Sequence, residues 1–293
     1  MPSRWTHRRQ QFRAVLEGAD CIVPASVFDP LSARIAEDLG YELGMFAGSL
    51  ASQTVLAAPD LIVLTLSEFV EQAYRVCGAG ELAVLADADH GYGNALNVAR
   101  TVEQLEAAGI AGLTIEDTAL PRGYGGGGGA KLLSIDEGLG KMRAALAARS
   151  DPNLAIVGRT SAAGIAGMDD ALARAQAYEA AGVDALFLLG VKDRAEIENF
   201  ASALTKPLIM AGVMDTVMTR DELAAHNVRI CLRGHQTLRA AVKAVYDTMK
   251  ALRDGTSPNE LANLASPELM ARLTRVEEYE RKIADYMGGD KRV

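Results

Sequence analysis

Leu85-Ala86-Asp87-Ala88-Asp89-His90-Gly91-Tyr92-Gly93-Asn94 is the stretch that decides the fold. It continues an apolar run typical of a buried parallel strand, and Asn94 signals the start of a helix. Asp87 and Asp89 face the same way if strand geometry continues through Asp89, and the two glycines permit a tight turn beside a ligand. Because ligands bind at this end of strands in α/β folds, the stretch suits a hard cation and a small oxyanion. A purely structural interpretation is a strand-to-helix turn in which Asn94 only caps the helix.

A repeated unit runs through the chain: a helix that ends in glycine, a short link and an apolar strand. Residues 106–109 and 179–182 are two such helix ends. Repetition of this unit predicts parallel strands joined by crossover helices, and eight of them favour a (β/α)8 TIM barrel over an open doubly wound sheet. The predicted strands are residues 22–24, 43–47, 83–86, 112–116, 155–158, 185–188, 207–210 and 228–232.

Helices are predicted between the strands and at both ends of the chain. The first should be amphipathic, with apolar side chains on one face and Arg8, Arg9 and Arg13 on another. We expect a single barrel domain whose helical tail packs on the barrel or on a neighbouring subunit. The domain over residues 1–293 would comprise an N-terminal helix in 1–20, the barrel in 21–254 and the helical tail in 255–293.

Composition narrows the class of protein. A chain of 293 residues with 49% apolar and 5% aromatic side chains is ordinary for an α/β enzyme, and it is long enough for one large core. The formal net charge of −8 argues against a nucleic-acid partner but permits an anionic substrate. The three cysteines indicate reduced core residues. No apolar run is long enough to cross a bilayer, so we expect a cytoplasmic protein without a membrane partner.

Polar side chains follow several predicted strands at the end where a barrel builds its active site. They are Ser49 after strand two, Asp87 and Asp89 after strand three, Glu116 and Asp117 after strand four, Arg159 and Thr160 after strand five, and His235 after strand eight. Such a set predicts an oxygen-ligand cation site facing an anion, and Mg²⁺ suits it better than Zn²⁺. Two purely structural alternatives stay open: Glu116 could cap the next turn, and His235 could merely precede the last helix. His90 is expected to be a loop residue rather than a ligand.

Five consecutive glycines, residues 125–129, lie between the fourth strand and its helix. Such a run holds no single conformation cheaply, so the segment 123–129 is either a mobile lid or an inert loop, and its position favours the lid. It is not a phosphate-binding loop, because no Gly-Lys-Ser/Thr sequence follows.

The motifs together resemble the isocitrate lyase/PEP mutase superfamily and, within it, the oxaloacetate decarboxylase family. The residues that carry the resemblance are 25–36, 48–52, 87–94, 114–117, 158–160 and 233–235. The resemblance implies a (β/α)8 barrel and a homotetramer built as a dimer of dimers. It also implies that C-terminal helices are exchanged between subunits.

The resemblance further implies roles for individual residues. Mg²⁺, with Mn²⁺ as an alternative, would be held directly by Asp87 and through water by Asp89, Glu116 and Asp60. The 2-oxo dicarboxylate would be bound by Ser49, Leu50, Arg159 and His235, of which Arg159 and His235 would be catalytic.

The predicted function is therefore the Mg²⁺-dependent decarboxylation of oxaloacetate to pyruvate and CO2, a carboxy-lyase activity. The glycine loop contains neither the cysteine of the superfamily's carbon–carbon lyases nor the Lys- and Asn-bearing segment of its mutases and hydrolases. Residues 212–215 also depart from some decarboxylases, which leaves the preferred 2-oxo acid open. Two alternatives remain: phosphonopyruvate or alkylmalate C–C/C–P chemistry, and a non-catalytic barrel that binds 2-oxo acids.

Overall fold

The computed structural model describes residues 5–125 and 129–288. Eight parallel strands form one sheet in chain order. They are β1 (Ala25–Ser26), β2 (Leu43–Ala47), β3 (Ala83–Asp87), β4 (Gly112–Glu116), β5 (Ala155–Thr160), β6 (Ala185–Leu188), β7 (Leu208–Ala211) and β8 (Val228–Leu232). The N–H of Ile22 donates to Arg229 O (2.8 Å) and the N–H of Cys231 donates to Ile22 O (2.9 Å), which joins the two ends of the sheet. The predicted (β/α)8 class is confirmed.

The chain divides into two compact units, Met1–His235 and Gln236–Val293. The first unit contains α1 (Thr6–Glu17), α2 (Pro30–Asp38), α3 (Gly48–Leu56), α4 (Leu66–Gly78), α5 (Ala95–Ala108), α6 (Ile135–Ala148), α7 (Ala162–Ile165), α8 (Met168–Ala181), α9 (Arg194–Ala203) and α10 (Arg220–Ala225). The second contains α11 (Gln236–Arg253), a 3-10 turn (Pro258–Glu260), α12 (Pro267–Thr274) and α13 (Val276–Met287). A single domain over residues 1–293 and a tail exchanged between subunits stay predictions. None of the described helices combines the length and apolarity that a membrane span requires.

Local sequence explains where the elements begin. The Asn94 side chain accepts hydrogen bonds from the N–H groups of Leu96 and Asn97, so the predicted cap of α5 is present. The first strand was predicted at the wrong place: Ile22 makes only an isolated bridge, and β1 starts after Pro24. Pro24 has no N–H to donate and therefore interrupts the ladder.

Helix α1 packs against the amino-terminal ends of the strands. Phe12 is fully buried, and a Cβ at Gly112, the first residue of β4, would lie 2.8 Å from its ring. The Trp5 ring covers Gly109 in the same way at 2.7 Å. These two glycines let aromatic side chains of the first turns seal this end of the barrel.

The arginines of α1 differ from the separate polar face expected from the sequence, because Arg8 and Arg9 are buried. Arg9 donates to the carbonyls of Ile110 (3.1 Å) and Glu106 (2.6 Å) and pairs with Asp151 (2.9 Å). A buried guanidinium is tolerated here because carbonyl and carboxylate oxygens take up its donors.

Candidate functional site

The carboxyl ends of the strands open onto a cavity of about 210 Å³. Its lining residues are Met45, Ser49, Asp60, Asp87, Asp89, Arg159, Phe187, Leu189, Ala211, Leu232, Gly234 and His235. A wider cavity of about 780 Å³ shares three of these residues and adds Glu116 to its wall. Leu50 lines neither cavity, because its side chain is buried within α3. The structure thus brings together the side chains of Ser49, Asp60, Asp87, Asp89, Glu116, Arg159 and His235. Asp117 and Thr160, also predicted at strand ends, are buried and line neither cavity.

Arg159 is locked between two carboxylates on neighbouring strands. One guanidinium nitrogen donates to Asp87, and the other lies 3.1 Å from Glu116 Oε2. The second Asp87 oxygen accepts from the Thr114 hydroxyl at 2.8 Å, and the guanidinium lies 5.4 Å above the Phe187 ring. Burial lowers the pKa of Arg159, but Asp87 and Glu116 outweigh it and raise that pKa. The cation is therefore permanent and fixed in position.

Asp89 reaches the same cavity by a different route from the one expected. Strand β3 ends at Asp87, and Asp89 has a left-handed backbone with φ +48°. The Glu116 N–H donates to the Asp89 carbonyl at 2.8 Å and holds this turn. A Cβ at Gly48, the first residue of α3, would lie 2.2 Å from Asp89 Oδ2. Only a glycine at position 48 leaves room for the Asp89 carboxylate in this position.

Negative charge is concentrated at this end of the barrel. Burial, then Asp87 and Glu116, raises the pKa of Asp89 to about 8. Burial likewise raises the pKa of Glu116, and burial followed by Asp87 raises that of Asp60. Carboxyl groups that raise one another's pKa are stabilised by an added cation, and their hard oxygen atoms are the ligands that Mg²⁺ prefers.

Among residues 5–125 and 129–288, no three His, Cys, Asp or Glu side chains form a ready metal cluster. Two of the carboxylates at this site, Asp87 and Glu116, are already paired with Arg159. A divalent ion here would therefore take few direct protein ligands and complete its shell with water, which is usual for Mg²⁺. The donor set is compatible with that arrangement.

His235 stands at the end of the last strand and lines the smaller cavity. Its Nδ1 lies 2.8 Å from the hydroxyl of Ser26, at the end of β1. Burial lowers the pKa of His235 although Asp87 and Asp60 oppose the shift, which favours the neutral ring. Ser26 was not predicted as a site residue, although its position at a strand end was an available signal.

A second group of polar residues lies behind the site. Of these, only Asp117 was predicted from the sequence, and it was expected in the site itself. Lys141 of α6 is buried and donates to the His90 carbonyl at 2.8 Å. Arg174 and Tyr178 of α8 donate to the Asp117 carboxylate at 3.1 and 2.7 Å. These contacts connect the turn after β3 and the end of β4 to the surrounding helices. His90, buried and with its pKa lowered to about 4 by burial and Lys141, is a supporting residue of that turn.

The segment after β4 returns on itself before α6. The Ala119 N–H donates to Lys131 O at 2.7 Å, and Thr118 bridges Leu132 in antiparallel fashion. This stem lines the wider cavity. Residues 126–128 of the glycine run lie outside the described residues, and the lid stays a prediction.

Comparisons with known proteins agree with one another. The chain matches the phosphoenolpyruvate phosphomutase family over residues 12–253. It is 54% identical over 284 residues to a protein of Rhodopseudomonas palustris (strain BisB18) named oxaloacetate decarboxylase, covering 97% of this chain and 98% of the relative.

Solved structures show the same fold. Phosphonopyruvate hydrolase in complex with oxalate and Mg²⁺ is 31% identical, with a TM-score of 0.84 over 96% of this chain and 99% of its own. Oxaloacetate acetylhydrolase in complex with the inhibitor 3,3-difluorooxalacetate is 28% identical, with a TM-score of 0.85 over 97% and 98%. These neighbours bind small 2-oxo acids or oxalate, in one case together with a divalent ion.

Proposed function

The chain belongs to the phosphoenolpyruvate phosphomutase family, and from that premise we propose that it decarboxylates oxaloacetate to pyruvate and CO2 with a divalent metal ion. The observation that carries the proposal is a small cavity in which crowded carboxylates face one fixed cation and a neutral histidine. The relative of 54% identity, named oxaloacetate decarboxylase, supports the choice of substrate.

The acidic side of the cavity would hold the ion, Mg²⁺ or alternatively Mn²⁺. Asp87 would bind it directly, and Asp89, Glu116 and Asp60 through water. When bound, the ion supplies a Lewis acid that draws electron density from the 2-oxo acid as its far carboxylate leaves.

The remaining residues would bind and orient the dianion. Ser49 lies in the first turn of α3, where backbone N–H groups have no partner within the helix. Leu50 would contribute its backbone N–H there, since its side chain is buried elsewhere. Arg159 and His235 would hold the rest of the substrate, Arg159 by its charge and His235 by a hydrogen bond. Together they would keep the scissile bond in one orientation.

The test is turnover by the purified protein with Mg²⁺, followed as pyruvate and CO2 release. Asp87→Ala should reduce the rate to that of free Mg²⁺, whereas Asp20→Ala, an exposed control, should match the unaltered protein. The proposal fails if the unaltered protein is no faster than free Mg²⁺.

Another 2-oxo acid is the second candidate, favoured by the likeness to phosphonopyruvate hydrolase. A panel containing phosphonopyruvate, alkylmalates and oxaloacetate separates the two. Binding of oxalate without turnover of any of them would indicate a barrel that only binds.

A cytoplasmic homotetramer, arranged as a dimer of dimers, stays a prediction. Sedimentation of the purified protein tests the assembly: four chains per particle would support it, and one or two would contradict it.

A further inference from the structure

We propose that Ser26 is a positioning residue for His235: its hydroxyl donates to Nδ1 and fixes the ring with its proton on Nε2. The tautomer is a property of the resting protein. Only its consequence for substrate binding rests on the function proposed above.

The contact lies at the seam where the first and last strands meet. Ser26 ends β1, His235 follows β8, and Ser26 Oγ is 2.8 Å from Nδ1. A hydroxyl both donates and accepts, so this distance alone permits two arrangements. In one, Ser26 donates to an unprotonated Nδ1; in the other, Nδ1–H donates to Ser26.

The charges around the cavity decide between these arrangements. Burial favours the neutral ring of His235, in which only one of the two nitrogens carries a proton. Asp60 and Asp87 share the cavity with the ring and attract a proton toward it. Arg159 opposes this weakly, because Asp87 and Glu116 already neutralise its charge. The proton is therefore favoured on Nε2, the nitrogen that Ser26 does not hold.

The tautomer matters for the ligand. A neutral imidazole with Nε2–H offers a donor to a carboxylate oxygen, whereas the other tautomer would turn a lone pair toward it. Ser26 would thus make His235 a donor for the dianion without giving it a positive charge. Since the hydrogen bond is already formed in the ground state, its loss should appear mainly in KM.

Nitrogen NMR on the unaltered protein tests the tautomer directly. The chain has only four histidines, and a His235→Gln variant identifies the signals of this ring in protein labelled with [15N]histidine. We expect the shift of a protonated nitrogen at Nε2 and of an unprotonated one at Nδ1. The opposite pattern, or protonation of both nitrogens at pH 7, overturns the proposal.

Two variants connect the tautomer to Ser26. Ser26→Ala should move the Nδ1 signal, mix the two tautomers and raise KM for oxaloacetate about 3- to 10-fold, the size expected for one hydrogen bond. Ser26→Thr keeps the hydroxyl and should restore both. An unchanged tautomer and KM in Ser26→Ala contradict the proposal.

The failure of this inference is distinguishable from failure of the proposed function. If no variant turns over oxaloacetate, the function is wrong, and the spectrum still decides the tautomer. If Ser26→Ala does not fold, the spectrum of the unaltered protein decides alone.

Discussion

The two ends of the barrel treat buried charge in opposite ways. At the amino-terminal end, Arg9 is surrounded by oxygen acceptors, including Asp151 at 2.9 Å. At the carboxyl-terminal end, Arg159 pairs with two carboxylates, Asp87 and Glu116, and the pKa of the nearby Asp89 rises to about 8. The first end is balanced and stabilises the fold. The second crowds together more carboxyl groups than Arg159 can pair with, so Asp89 keeps its proton up to about pH 8 unless a cation binds.

The difference separates residues that stabilise the fold from residues that we propose to bind a ligand. A balanced buried charge contributes to stability only as long as its partners remain, whereas crowded like charges cost stability and mark functional sites. Barrels commonly divide their ends in this way, with catalysis at the carboxyl ends of the strands.

Replacing each of the two arginines by methionine should show the largest difference between the two ends of the barrel. Arg159→Met should reduce turnover about 10²- to 10³-fold, because it removes a fixed cation from the cavity that we propose to bind the substrate, with a smaller change in stability. Arg9→Met should leave kcat/KM at low temperature near its normal value. It should lower the free energy of unfolding by about 3–5 kcal/mol, since the carbonyls of Ile110 and Glu106 stay buried without their donor.

Steady-state kinetics and urea unfolding of both variants measure these effects. If Arg9→Met loses activity while remaining folded, or Arg159→Met loses only stability, the two ends do not differ in the proposed way.

Replacing Gly48 by alanine tests whether the Asp89 carboxylate belongs to the active mouth of the barrel. Gly48→Ala places a Cβ 2.2 Å from Asp89 Oδ2, which is too close for two nonbonded atoms, so the carboxylate must move. We expect turnover to fall about 10- to 100-fold, as displaced catalytic groups commonly cause. Gly140→Ala in α6 is the matched control, because nothing lies within 4 Å of its new Cβ. It should keep full activity and gain about 0.5–1 kcal/mol of stability. Equal rates for the two variants would show that the position of the Asp89 carboxylate does not matter for turnover.

Loss of the hydrogen bond that Lys141 makes behind the mouth of the barrel should have a smaller effect on activity. Lys141→Met keeps the length of the side chain but removes its hydrogen bond to the His90 carbonyl. We expect the half-saturating Mg²⁺ concentration to rise about 3- to 10-fold, since one buried hydrogen bond no longer holds the turn that carries Asp89. Lys141→Arg retains a donor and should recover part of the loss. A Mg²⁺ dependence identical to that of the unaltered protein would show that Lys141 serves only packing.

The pH dependence of stability should have opposite signs at the two ends. Burial raises the pKa of Asp151, but hydrogen bonds from Arg9, Asn153 and Thr6 outweigh it and lower that pKa. Its contribution is therefore present above the unfolded pKa of 3.8 and is lost as the pH falls toward the lower folded value. Asp151→Asn should flatten the loss of stability below about pH 4 in urea unfolding. An unchanged acid limb would contradict this assignment.

Asp89 should show the reverse slope in metal-free protein. Its folded pKa of about 8 lies above the unfolded value of 3.8, so the folded state keeps a proton that the unfolded chain releases. Stability should therefore fall as the pH rises from 3.8 toward 8, and Asp89→Asn should remove that part of the slope. The prediction is wrong if the slope persists in Asp89→Asn.

Sequence patterns predicted the sheet well because its interior strands are continuous apolar runs with glycine or polar residues at their ends. Strands β2, β4, β6 and β8 have the predicted bounds. Helix α3 was not predicted, since Gly48 to Leu56 mixes small and polar residues without a clear helical period. In β1, Pro24 displaced the hydrogen-bonded ladder.

The candidate site was predicted from the polar residues that follow the strands, but the residues that hydrogen-bond to them were not. It placed Asp87, Arg159 and His235 at one mouth because parallel strands end together. The contacts of Ser26 and Lys141 join residues 209 and 51 positions apart, and no local pattern records such a pairing.

The central contrast is tested most directly by calorimetric titration of Mg²⁺, in the presence of oxalate, into the unaltered protein and into Asp87→Asn and Asp151→Asn. We predict binding of one ion to the unaltered protein and to Asp151→Asn, and affinity at least about 10-fold weaker in Asp87→Asn, because a charged oxygen ligand is lost. Binding to Asp87→Asn with the affinity of the unaltered protein would contradict the account.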